Sequence, residues 1–272
     1  MENIENELSI DYLKSLPKLY EKYFNFTPYQ IKHDKRKIIS CSLFKIDEYE
    51  FKNKYLGRFY ALLKYIEINF PSHGVMLFTT EDLKDYFTRH NINIYINQYS
   101  HGLIHTFSRF LAIDYDIDLM MCIDVDELHL EAHKKFKNET ARVLNVGNYD
   151  YYVDDGKTAK KYSSIMAGLF QIKKEDIDFE MKDIIPRFLF HQENNFINEK
   201  QTIYNKPVGE HSKGFGNTPF IYGCDERFLA KFLYFNLVKK GKLVTYTNYP
   251  NNYENKQDLD YCKKYNNQVY RL

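Results

Sequence analysis

The chain of 272 residues is 44% hydrophobic and 28% charged, enough to bury a sizeable core, which excludes disorder as its main description. Its 38 Lys+Arg against 37 Asp+Glu leave a formal charge of +1, so no global field favours nucleic acid or an acidic bilayer surface. The longest apolar runs, such as Leu233 to Val238 and Leu119 to Ile123, stop far short of the roughly 18 residues that a membrane span needs.

The first residues, Met1 to Glu7, are acidic and lack an apolar stretch, so they do not read as a signal peptide. A cytoplasmic protein is expected, with no nucleic-acid partner and no membrane span. Residues 1–35 have Ile10, Leu13, Leu16 and Tyr20 at helical spacing, with Pro17 and Pro28 as punctuation, and are expected to form an N-terminal helical extension. No Gly/Ser/Pro-rich linker interrupts residues 36–272, which are expected to form one domain.

From Lys37 onward, strands and helices alternate. The pattern predicts a strand over Ile38–Phe44, a helix over Tyr55–Phe70, a strand over Val75–Phe78 and a helix over Leu83–Thr88. A strand over Ile92–Ile96, a helix over Thr106–Asp114 and an apolar strand over Leu119–Val125 follow. Runs such as Leu119-Met120-Met121-Cys122-Ile123 are what strands covered on both faces require. The expected fold class is therefore α/β, with a Rossmann-like, mostly parallel sheet flanked by helices.

The second half is less regular. A polar stretch from Asn148 to Tyr162 precedes a strand over Ile165–Ile172 and a loop-rich region from Glu193 to Thr218. A helix over Asp225–Val238 and a strand over Leu243–Tyr246 come before a polar tail. The four cysteines, Cys41, Cys122, Cys224 and Cys262, form no CxxC pair and fit buried reduced thiols.

The informative segment is Met121-Cys122-Ile123-Asp124-Val125-Asp126-Glu127, where an apolar strand runs directly into three carboxylates. Open α/β sheets bind ligands at the carboxyl ends of their strands. Alternation sends Asp124 and Asp126 the same way, so both can reach one hard cation that also holds a diphosphate, while Val125 points into the core. The plainer alternative is a strand end followed by solvated acids. Glu127 and His129 are further candidate ligands or simply the start of a helix.

In their order, Arg109-Phe110, Asp116-Ile117-Asp118 and Ile123-Asp124-Val125-Asp126-Glu127 resemble the run around the D-x-D motif of GT-A-fold glycosyltransferases. Ser164 to Phe170 is similar to the family's glycine-containing strand beside the donor sugar, and Tyr222 to Leu229 to its acidic motif opening a helix. The resemblance spans about residues 36 to 247. It implies a GT-A-like fold and a glycosyltransferase that moves a sugar from a nucleoside-diphosphate sugar to a hydroxyl of a glycan or protein acceptor. It also implies Mn²⁺ or Mg²⁺ at Asp124 and Asp126, the nucleoside near Ser42 and Leu43, the donor near Arg109 and Gly168, and Asp225 as catalytic base.

Elementary chemistry accompanies the resemblance. A departing nucleoside diphosphate develops charge that a divalent cation or fixed positive groups must stabilise. Arg109 offers a guanidinium fork to phosphate, or else pairs with Asp114 or Asp116 on its own segment. Gly168 allows a sugar to approach the backbone, or is a small residue in a crowded strand. Asp225 takes the acceptor's proton, or interacts with a helix N-terminus.

The histidine that many metal-dependent members place after the acidic motif is missing, since the last histidine is His211. The loop His211-Ser212-Lys213-Gly214-Phe215-Gly216 is a substitute in reach of a diphosphate, or an exposed loop. Two other functions compete: a noncatalytic scaffold of the same fold that binds nucleotide or glycan, and metal-dependent phosphoryl transfer. The latter lacks a P-loop, because no G-x-x-x-x-G-K-[ST] occurs.

Overall fold

The computed structural model describes residues 8–45, 48–100, 102–125, 143–153, 159–196, 201–203, 224–241, 244–247 and 268–271. In chain order the strands are β1 (Thr27–Gln30), β2 (Lys37–Leu43), β3 (Gly74–Thr80), β4 (Asn93–Asn97), β5 (Leu119–Ile123), β6 (Val143–Val153), β7 (Ala159–Lys173), β8 (Gln201–Ile203), β9 (Val244–Thr247) and β10 (Gln268–Arg271). The chain forms two compact units, one of Tyr20–Thr140 with Gly168–Asp183, the other of Met1–Leu19, Ala141–Ala167 and Ile184–Leu272.

The first unit is α/β, a mixed sheet of six strands flanked by helices, in the order β1-β4-β3-β2-β5-β7. Strands β2, β3, β4 and β5 run parallel, whereas β1 is antiparallel to β4 and β7 antiparallel to β5. After β2 the chain adds β3 and β4 on one side, then crosses to place β5 on the other. The strand order therefore reverses between β2 and β5, and open α/β sheets bind ligands at such a switch point, outside the carboxyl ends of the strands.

Both faces of this sheet are covered, which explains the uninterrupted apolar runs. On one face Ile39, Cys41, Leu43, Val75, Leu77, Ile94, Met121 and Ile123 pack with Phe59, Leu62 and Ile66 of helix Gly57–Asn69. Those three helical positions recur at the spacing that puts a stripe on one side of a helix. Val125 belongs to the same cluster, as alternation along the strand requires. On the other face, the 3-10 helix Thr106–Asp114 brings Phe107 and Phe110, both buried, with Phe110 and Phe170 at 5.5 Å between ring centroids.

The expected N-terminal helical extension over residues 1–35 is helical only in part among the described residues. A helix runs over Ile10–Ser15, its first turn capped by Ser9 Oγ, which accepts from the Tyr12 N–H at 3.1 Å. A 3-10 turn covers Glu21–Phe24, but Thr27–Gln30 is an edge strand on β4. Pro28, which donates no backbone hydrogen bond, is tolerated there because an edge leaves one side unpaired. The helices expected at Leu83–Thr88 and Thr106–Asp114 are 3-10 helices, the first over Glu81–Tyr86.

In the second unit β6 pairs in parallel with β9 and antiparallel with β8, and β9 pairs in parallel with β10. The polar stretch over 148–162 thus contributes to β6 and β7. Helix Met181–Phe196 was not evident from the sequence, because Pro186 lies inside it. Within this unit Ile184, Ile185, Phe188 and Leu189 are fully buried, Phe188 lies 5.2 Å from Phe228, and the Leu19 N–H donates to the Pro186 carbonyl at 3.1 Å. Cys224–Phe228 is helical and continues through a π-helical turn, Leu229–Leu233, into helix Tyr234–Lys239. Among the described residues, no helix is long and apolar enough to cross a membrane.

Candidate functional site

The register of three neighbouring strands builds the site. Ser40 pairs with Cys122 across β2 and β5, and Cys122 with Phe170 across β5 and β7. Two residues further along β2 and β5, and two residues back along antiparallel β7, stand Ser42, Asp124 and Gly168. Because side chains alternate, all three belong to the sheet face covered by Thr106–Asp114. A serine, a carboxylate and a glycine therefore form a row across the switch point, where every residue just below is apolar and buried except Ser40.

Arg109 joins this row from the helix above it. The Arg109 guanidinium donates through Nη1 to Asp124 Oδ1, and the side chains are 8% and 33% exposed. Ser40 Oγ, fully buried on β2, donates to the Arg109 carbonyl at 2.5 Å. The single segment carrying Arg109 is thus bonded to both strands that flank the switch point. Gly168 lies directly against Asp124, since a β-carbon added to it would meet Oδ2 and the carboxyl carbon.

Leu43 is buried in the core cluster on the opposite face, and its carbonyl accepts from Thr79 Oγ1 at 2.7 Å, whereas Ser42 is partly exposed. Of these two residues, Ser42 is the one facing the row. Asp225 is buried, 6% exposed, in the first turn of helix Cys224–Phe228 in the other unit, a position where an acid interacts favourably with the helix N-terminus. Asp126, Glu127, His129 and the loop His211 to Gly216 lie outside the described residues.

One contributor escaped the sequence reading: Ser40, whose hydroxyl is visible in the sequence but whose partner is set by helix packing. Asp114, offered as a partner of Arg109, instead accepts from the backbone N–H of Met181 at 2.7 Å and of Lys182 at 2.8 Å. Burial lifts the Asp114 carboxyl to about 6, outweighing those two donors. Asp116 pairs instead with Arg36, which also bonds Asp118.

Cys41, Cys122 and Cys224 are buried, and burial pushes the pKa of the Cys41 thiol upward. Cys41 and Cys122 face opposite sides of the sheet, because it is Ser40 that pairs with Cys122.

As a donor set for a divalent cation, these residues fit in part only. Asp124 already has its charge met by Arg109, and among the described residues no group of three His, Cys, Asp or Glu side chains is arranged to hold a metal. Comparison of the chain with protein-family models and with curated proteins finds no match to either.

Proposed function

We propose that this protein is a GT-A-like glycosyltransferase that takes a nucleoside-diphosphate sugar and passes the sugar to an acceptor hydroxyl. The observation that carries the reading is the row of Ser42, Asp124 and Gly168, which crosses the carboxyl ends of β2 and β5 and the antiparallel strand β7 beside them, at the reversal of strand order. Small and polar groups at a switch point are suited to an extended phosphate-bearing ligand. The quoted sequence motifs, in their order, support the same assignment.

In this reading Ser42 lies beside the nucleoside. Gly168 is buried against Asp124, and its lack of a side chain keeps that carboxylate in place beside the donor. The sequence resemblance, and not the geometry, gives Asp225 the role of base toward the acceptor hydroxyl. Mn²⁺ or Mg²⁺, where bound, supplies charge to the departing diphosphate. Asp126 is its protein ligand in this reading, and Asp124 does not suit that role because Arg109 already holds its carboxylate.

The deciding experiment is a thermal-shift series on the purified protein with UDP, GDP, CDP and their common sugars, with and without Mn²⁺, beside Asp126→Ala. A native-state ligand raises the melting temperature in proportion to its occupancy. One nucleotide that stabilises the wild type with metal, and fails to stabilise the variant, is the expected result. Stabilisation without turnover of the matching sugar nucleotide would instead favour the noncatalytic scaffold. No shift with any nucleotide would remove the assignment altogether.

A further inference from the structure

Arg109 is buried on a segment whose other buried side chains, apart from Ser108, are apolar, among them Phe107, Phe110, Leu111 and Ile113. A charged group is kept in such a place only when its charge is met. Its guanidinium meets the Asp124 carboxylate at the end of β5, and its carbonyl receives the Ser40 hydroxyl of β2. The next residue, Phe110, packs on Phe170 of β7. One short segment thereby ties together the three strands that carry the row, and Arg109 supplies two of the links.

We infer that Arg109 is the clasp of the switch point, and that Asp124 serves as its counter-ion, a positioning residue rather than a cation ligand. What the clasped strand ends hold rests on the nucleotide-sugar reading; the clasp itself does not. Asp124 carries one negative charge, and a buried guanidinium already takes it. A divalent cation on the same carboxylate would stand beside that buried guanidinium, and the like charges would repel. Moving the guanidinium aside would leave it buried without its counter-charge. The division of labour follows: Asp124 fixes the end of β5, and the other carboxylate of the D-x-D motif, Asp126, is left for the cation and the diphosphate.

The test uses the full chain and two readouts. In a double-mutant cycle of Arg109→Gln, Asp124→Asn and both together, each single variant strands one charge, whereas the double variant is neutral. The double variant should melt above the sum of the two single effects, because contacting residues are coupled and independent ones are additive. Additive effects would overturn the clasp. The second readout is Mn²⁺ binding, followed by its paramagnetic resonance signal, in the presence of inorganic pyrophosphate.

Asp124→Asn should keep the Mn²⁺ affinity within about threefold of wild type, whereas Asp126→Asn should lose about tenfold or more, in the range seen when a metal site loses a supporting group. Equal losses in the two variants would overturn the positioning role of Asp124. Should the wild type bind no Mn²⁺ with pyrophosphate, the metal of the proposed function fails, and the cycle alone decides the clasp: coupling supports it and additivity removes it.

Discussion

Gly168 and Asp124 compete for one space: a β-carbon on Gly168 would stand within the Asp124 carboxylate. The glycine is required by a neighbouring side chain and not by its backbone, since the positive-φ glycine among the described residues is Gly241. Replacing Gly168 with alanine forces the carboxylate, and with it Arg109, out of position. Gly168→Ala should therefore lower stability by about 1–3 kcal/mol, the usual cost of overfilling a packed place. The same substitution made in an Asp124→Ala background should cost much less. Urea unfolding of the four proteins reads this directly, and an equal cost in both backgrounds would show that Gly168 answers to something else.

Ser40 and Ser42 lie two positions apart on the same face of β2, yet they should behave differently. Ser40 is fully buried and its hydroxyl satisfies the Arg109 carbonyl, so Ser40→Ala leaves that acceptor without its donor at a cost of about 1–2 kcal/mol. Ser42 is partly exposed at the strand end, so Ser42→Ala should change stability by less than about 0.5 kcal/mol. Its effect belongs to ligand binding instead, as a loss of nucleotide-induced thermal shift. A Ser42→Ala protein as destabilised as Ser40→Ala would contradict this division.

The contrast between those serines also marks what a sequence can disclose. The parallel strands were legible because burial on both faces leaves a continuous apolar run, and Asp124 stood out because an acid follows such a run without a gap. Its partner was not legible. The sequence offered Asp114 and Asp116 as partners for Arg109, both nearby in the chain, but Asp114 faces Met181 and Lys182 and Asp116 pairs with Arg36. Arg109 meets Asp124 because a helix crosses the ends of β2 and β5, a fact of strand order that local periodicity does not contain. Edge strand β1 and helix Met181–Phe196 were missed for local reasons, since each holds a proline where the usual pattern has none.

Asp114 gives a pH dependence with a definite sign. Its carboxyl is lifted by burial from 3.8 to about 6, so the folded state prefers the protonated form. That contribution is complete below the unfolded value, and it is lost as pH rises through about 6. At neutral pH the ionised group costs on the order of 2–3 kcal/mol relative to its protonated form, at about 1.4 kcal/mol for each pKa unit. Asp114→Asn cannot ionise, so its stability should fall less than that of the wild type between about pH 4 and about pH 6.5. Denaturant midpoints of the two proteins across that window provide the check, and parallel profiles would dismiss Asp114 as the source.

His33 should act in the opposite sense. Its ring packs against Gly74, with Nε2 at 3.1 Å from both the amide nitrogen and the carbonyl of Val75, and burial lowers its pKa from 6.5. The folded state therefore prefers the neutral ring. This stabilising contribution is fully present above 6.5 and is lost as pH falls through that value toward the lower folded one. Because Asp114 gains stability over part of the same interval, the two slopes oppose each other in the wild type. The effect of His33 is best isolated in an Asp114→Asn background, where His33→Gln should flatten the fall in melting temperature between about pH 7 and about pH 5. Gln also retains a donor and an acceptor for Val75, so the comparison isolates the charge. If both proteins lose the same melting temperature over that interval, His33 titrates alike in the folded and unfolded chain, and its burial against Gly74 carries no pH dependence.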